Sequence, residues 1–118
     1  MKQQPDIRRE LARSVIKEPL LSIVEQSKLE AADARQPIGI IIEANIDYFA
    51  GAKVAAREIA ARVDARPIDS LHRYFRARLT AAEILRLVEA DARDGARLQS
   101  ETHSTPRPGH FLKISRIW

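Results

Sequence analysis

The stretch PIGIIIEAN, residues 37–45, constrains the fold more than any other in the chain. Ile38, Ile40 and Ile42 recur at every second position, so in an extended chain they share one face. β-Branching makes these side chains stiff in a helix and suits them to a pleated surface. A strand is expected here. Ile41 on its opposite face predicts an inner strand covered on both sides.

The period then changes. Asn45, Ile46, Asp47 and Tyr48 suit a turn, and a helix is expected from about Phe49 to Val63, with Ala52, Ala55, Ala56, Ile59 and Val63 as a narrow apolar stripe. Such small residues let a helix sit close to a sheet. Ala65, Arg66 and Pro67 break it. In SLHRYFRARLT, Leu71, Arg73, Phe75, Ala77 and Leu79 alternate with His72, Tyr74, Arg76 and Arg78. This is the pattern of a half-buried strand, or of two short strands meeting at a bend marked by Arg73. Thr80 and Glu83 then form a capping-box pair at the start of a helix. Its expected buried stripe is Ala81, Leu85, Val88 and Ala92, with Ile84 alongside. Gly95 is placed to stop it, residues 96–109 read as a loop with Pro106 and Pro108, and FLKISRIW supplies a last strand.

Ahead of these elements, Ile7, Leu11 and Val15, with Ile16, give Asp6–Glu18 the pattern of a short amphipathic helix that Pro19 ends. Leu20, Leu21, Ile23 and Val24 form a second apolar turn, and Ser27–Gln36 is a polar, alanine-rich linker. The chain of 118 residues suits one compact domain. The order strand, helix, one or two strands, helix, strand predicts an α+β, ferredoxin-like split β-α-β sandwich. Its sheet is antiparallel, with two helices on one face and the other face open. Residues 1–36 form an N-terminal helical extension and residues 37–118 the ferredoxin-like domain. The expected core is Ile38, Ile40, Ile42, Ile59, Val63, Phe75, Leu79, Leu85, Val88 and Ile114.

The chain has no cysteine, which excludes disulfides and thiolate chemistry. The N-terminus lacks the apolar segment of a secretory signal and no apolar run approaches a membrane span, so a cytoplasmic location and no membrane partner are expected. His72, His103 and His110 do not stand at metal-ligand spacing, no glycine-rich phosphate loop or nucleophile elbow is present, and no metal or cofactor is expected. Glu43 and Asp47 read as structural acids rather than a catalytic pair. A binding protein is expected, not an enzyme. The net charge is +4, with much of the excess arginine. His72, Tyr74, Arg76 and Arg78 on an open sheet face could stack bases and neutralise phosphates, which makes a nucleic-acid module the alternative function. The ribonucleoprotein signature of an RNA-recognition motif is missing.

Three stretches, PIGIIIEAN with the small-residue helix after it, FRARLTAAEILRLVEAD and ISRIW, resemble in order and spacing the N-terminal propeptides of bacterial subtilisin-like serine proteases. The resemblance covers Pro37 to Trp118 apart from residues 96–109, and is strongest over Phe75–Asp91. It implies a ferredoxin-like fold, with the domain acting as intramolecular chaperone and inhibitor of such a protease. The open sheet face, with His72, Tyr74, Arg76 and Arg78, would dock on the enzyme. Ser115, Arg116, Ile117 and Trp118 would enter the active-site cleft as an extended, substrate-like strand. The family continues past the Trp with Pro-Asp and then the protease, whereas the sequence here closes at Trp118, so the partner is expected in cis or in trans. The resemblance puts a protease ahead of nucleic acid, with self-association through the N-terminal helices as a further option.

Overall fold

The computed structural model describes residues 13–27, 36–101 and 111–118. Its elements are α1 (Leu20–Ser27), β1 (Ile38–Ala44), α2 (Ala52–Arg62), β2 (Arg66–Pro67), β3 (Tyr74–Leu79), α3 (Ala81–Glu101) and β4 (Ile114–Ile117). The four strands lie in the order β2-β3-β1-β4, and every pairing is antiparallel. With α2 after β1 and α3 after β3, this is the split β-α-β arrangement of a ferredoxin-like α+β domain, as the pattern of periods predicts.

β1 lies between β3 and β4, and its alternation sets the core. Ile42 pairs with Phe75, Ile40 with Ala77 and Ile38 with Leu79, so one face of the ladder is apolar throughout. Ile40, Ile42, Phe75, Ala77 and Leu79 are buried and Ile38 half-buried. Burying a side chain as large as Phe75 or Ile42 contributes about 1.5–3 kcal/mol. Covering on both sides does not hold: Ile41 is 37% exposed, because the buried faces of α2 and α3 join the core on the Ile40 face. β1 is inner within the sheet and single-sided across it.

α2 buries Ala55, Ala56 and Ile59. It begins at Ala52 rather than Phe49, after turns in residues 46–50. Its N-cap is Gly51 at φ 102°, a conformation that costs glycine little and other residues much. Ala52 is exposed and Val63 half-buried, so the stripe is shorter than its spacing suggests.

The central hairpin differs from both expected forms. Its first strand is the two-residue β2, upstream of the alternating stretch. Residues 68–73 are loop, with Leu71 75% exposed instead of on the apolar face. Asp69 holds this loop, its Oδ1 accepting from the N–H of Arg73 (3.0 Å) and Tyr74 (3.4 Å). The alternation begins to govern burial only at Tyr74.

α3 opens with the expected capping box. Thr80 N–H donates to Glu83 Oε1 at 2.9 Å, and Glu83 N–H donates to Thr80 Oγ1 at 3.2 Å. The Thr80 N–H first, and then the Thr80 hydroxyl, hold the Glu83 carboxyl below its ordinary range by hydrogen bonding to it. The buried stripe is Ala81, Ile84, Leu87, Val88, Asp91 and Gly95, rotated from the expected one. Leu85 packs at the core's margin, half-buried. Gly95 does not end the helix, which continues to Glu101. A Cβ at Gly95 would lie 3.2 Å from Leu112 Cδ2 and 3.3 Å from the Phe111 carbonyl oxygen. The glycine lets the returning chain cross close over the helix.

The N-terminal segment joins the same core. Val15, Ile16, Leu20 and Val24 are buried in one cluster with β1, β3 and β4 residues, and α1 packs on α3. Residues 13–15 are helical, but the helix stops before Ile16. Ile16 forms a parallel bridge with Ile117, and Lys17 N–H donates to the Ile117 carbonyl at 2.9 Å. The sequence expects helix through Glu18; the uncovered edge of β4 offers Lys17 a sheet-type bond instead. The expected helix over residues 6–12, most of the linker, and the stretch 102–110 with His103 and His110 lie outside the described residues.

Candidate docking face of the sheet

With the helices on the Ile40 side, the odd-numbered residues of β1 and the even-numbered residues of β3 face outward. Register lines them up in rows. Ile41 stands opposite Arg76 on one side and Trp118 on the other, where Ile41 N–H donates to the Trp118 carbonyl at 2.8 Å and Trp118 N–H to the Ile41 carbonyl at 2.9 Å. Glu43 stands opposite Tyr74 and Arg116. Gly39 stands opposite Arg78, and nothing lies within 4 Å of the position its Cβ would occupy.

Across these rows the Trp118 and Tyr74 rings meet at 6.2 Å between centroids, tilted by 47°, a geometry aromatic pairs favour. The Arg73 guanidinium lies 4.8 Å from the centre of the Tyr74 ring, within cation–π range. The face thus has an apolar centre of Ile41, Tyr74 and Trp118, rimmed by arginines. Among the described residues, two buried side-chain atoms have no hydrogen-bond partner, and both belong here: Glu43 Oε1 and Arg73 Nε. Arg116 Nε is 3.7 Å from Glu43 Oε1, an ion pair too long for a hydrogen bond.

Of the expected sheet-face residues, the structure brings Tyr74, Arg76 and Arg78 onto one face. His72 is not with them: it lies in the loop before β3 at φ 54°. Of the expected tail residues, Ser115 and Arg116 are exposed, Ile117 is fully buried, and Trp118 lies on the open face. All four are engaged in or beside β4. Ile41 and Glu43 as members of the face were visible in the alternation of PIGIIIEAN once one side of the strand is left open. The meeting of Trp118 with Tyr74 depends on a register across three strands and leaves no local signal.

A second polar cluster, unforeseen in the sequence, ties down the start of β4. Asp91 accepts from Lys113 N–H with both oxygens at 3.1 Å and from Ile114 N–H at 3.0 Å. Burial pushes its carboxyl above the ordinary range, partly offset by those two N–H groups and by the charges of Lys113 and Arg62. Lys113 Nζ reaches Glu58 at 3.1 Å and Asp94 at 3.4 Å. Burial opposes its charge, yet the hydrogen bond to Glu58 and the charges around it hold the ammonium above its usual range. Arg62 donates to Asp94 at 2.9 Å and keeps that carboxyl low. Every charge here has a partner, so the cluster fastens α2, α3 and β4 together.

Among the described residues, no group of three or more His, Cys, Asp or Glu could hold a metal ion, and no helix is long and apolar enough to cross a membrane. No family model, curated protein or solved structure matches the chain.

Proposed function

We propose that this domain is a propeptide-like inhibitor and folding chaperone of a subtilisin-like serine protease, and that the open sheet face is its docking surface. The observation that carries the proposal is the composition of that face. An exposed tryptophan and isoleucine and a half-buried tyrosine stand among arginines, over a buried carboxylate oxygen that lacks a hydrogen bond. Aromatic and arginine anchors around a desolvated centre are what stable interfaces use, and Glu43 Oε1 and Arg73 Nε are poised for groups brought by a partner. The resemblance over Phe75–Asp91 and in the ISRIW stretch supplies the class of partner.

In this reading Trp118 belongs to the docking face. Ser115 and Arg116 present their side chains outward to the enzyme. Entry of all four tail residues into the cleft requires Ile117 to leave the core and Trp118 to release Ile41, at the cost of those interactions.

The test is inhibition of a panel of bacterial subtilisin-like proteases by the full chain and by Trp118→Ala and Tyr74→Ala. An inhibition constant weakened by about 2 kcal/mol or more in each variant is expected for anchors at an interface centre, with circular dichroism unchanged. Absence of inhibition by the unmodified chain, together with tight binding to single-stranded nucleic acid that falls steeply with salt, would replace this proposal with the nucleic-acid alternative.

A further inference from the structure

A cleft of about 750 Å³ opens at the β3 edge of the sheet, between the end of α2, the short β2 and the first turns of α3. Five arginines line it, Arg62, Arg66, Arg76, Arg78 and Arg86, against two acids, Asp64 and Glu83. Arg62 is taken up by Asp94, and Glu83 is held by the capping box. Arg66, Arg76 and Arg78 form no ion pair or side-chain hydrogen bond with any described residue.

Register makes this arrangement costly. Arg66 stands directly opposite Arg76 in the β2–β3 ladder, and Arg78 follows two positions on, on the same side of β3. Directly opposed residues have Cβ atoms about 4.5–5.5 Å apart, and like charges so placed destabilise a sheet. The ladder stops at Arg66, because Asp64 turns the chain away at φ 38°. Where the edge of β3 runs past the end of β2, Val63, Leu79 and Leu87 from the helix-covered side line the same cleft and give it an apolar part. The volume falls in the range of small-molecule sites and far exceeds what an inorganic anion fills.

We propose that this cleft binds an amphipathic organic anion, a carboxylate, phosphate or sulfonate carried on an apolar body, with the head group between Arg66, Arg76 and Arg78 and the body against Val63, Leu79 and Leu87. The guanidinium forks match such oxyanions in shape and charge, and a bound head group relieves the repulsion between Arg66 and Arg76. Arg76 and Arg78 also stand on the docking face, Arg76 opposite Ile41, but the site does not depend on the protease proposal.

The probe is 8-anilinonaphthalene-1-sulfonate, titrated into the full chain by fluorescence and followed by thermal melting. A saturable site is expected, with the melting temperature raised by the probe. Arg66→Gln and Arg76→Gln should each weaken binding about tenfold, the loss expected for one charge-assisted hydrogen bond. Each should also raise the melting temperature of the ligand-free protein by removing the repulsion. 1-Naphthyl phosphate and 1-naphthoate should compete, distinguishing the preferred head group, whereas uncharged 1-naphthol and sulfate alone should not. Unchanged probe affinity in both variants, a probe that lowers the melting temperature, or competition by 1-naphthol or sulfate equal to that of 1-naphthyl phosphate would each overturn the proposal.

Discussion

Ile41 and Trp118 exchange two main-chain hydrogen bonds, at 2.8 and 2.9 Å, on the face of the sheet that carries no helix. One residue earlier, Ile117 faces the other way and is fully buried. Adjacent residues at the end of β4 therefore serve opposite sides of the sheet, and their substitutions should separate. Ile117→Ala should cost about 2–5 kcal/mol of stability. Trp118→Ala should cost about 1 kcal/mol, the scale of its ring pairing with Tyr74. Urea denaturation of both variants checks the contrast. Equal losses would mean that Trp118 anchors the strand as firmly as Ile117 and would overturn the contrast.

The capping box at the start of α3 should be worth about 1 kcal/mol, so Thr80→Ala should lower stability by that amount. The substitution also frees the Glu83 N–H and removes a bond that holds the Glu83 carboxyl low. A carbon-13 NMR titration of Glu83 should move toward the ordinary glutamate range in the variant.

Asp91 and Asp94 should give stability opposite dependences on pH. The Asp91 carboxyl is raised by burial, so the folded state holds its proton more tightly than the unfolded chain. Its contribution is fully present below the ordinary aspartate range and is lost as pH rises through the raised value. The Asp94 carboxyl is lowered, so its contribution is present above the ordinary range and is lost as pH falls. Between about pH 3 and 7, the stability of the native chain relative to Asp91→Asn should decline with rising pH. Relative to Asp94→Asn it should increase. Denaturant melts at several pH values read both slopes, and slopes of the same sign would contradict the assigned surroundings.

Gly95→Ala sets two effects against each other. Alanine is favoured over glycine in a helix by about 1 kcal/mol. The added methyl would press on the Phe111 carbonyl at 3.3 Å and Leu112 Cδ2 at 3.2 Å. That backbone is held two residues on by the bonds from Lys113 and Ile114 to Asp91, so it has little freedom to retreat. Overpacking of this kind costs typically 1–3 kcal/mol, and the variant should be less stable than the native chain by about 1 kcal/mol. A gain in the urea midpoint would show that the segment can yield.

Elements whose signals are local were legible in the sequence. The alternation in PIGIIIEAN, the Thr80–Glu83 pair and the stripe of Ala55, Ala56 and Ile59 each report a period or a cap that neighbours in the chain decide. The order of those elements was enough for the ferredoxin-like arrangement. Features decided by distant partners were not legible. Gly95 carries the same letter whether it ends a helix or admits a crossing chain, and only the position of Phe111 distinguishes the two. Asp91 carries no local sign of burial; the N–H groups of Lys113 and Ile114, 22 and 23 residues on, decide it. Arg66 gave no sign of facing Arg76, because β2 is only two residues long. Of the candidate face, the alternation supplied Tyr74, Arg76 and Arg78. It misplaced His72, because the loop held by Asp69 interrupts the strand before Tyr74.

The bridge between Ile16 and Ile117 joins residues 101 positions apart in the chain. During synthesis the segment carrying Val15, Ile16, Leu20 and Val24 leaves the ribosome long before the strand on which Ile16 closes. Those four apolar side chains must wait without the partner that completes their burial, while β1 and β3 can already pair and α2 and α3 can pack on them. The domain therefore reaches its finished core only when translation has passed Ile117, and a chain arrested short of that point presents its N-terminal apolar residues to whatever else is in reach.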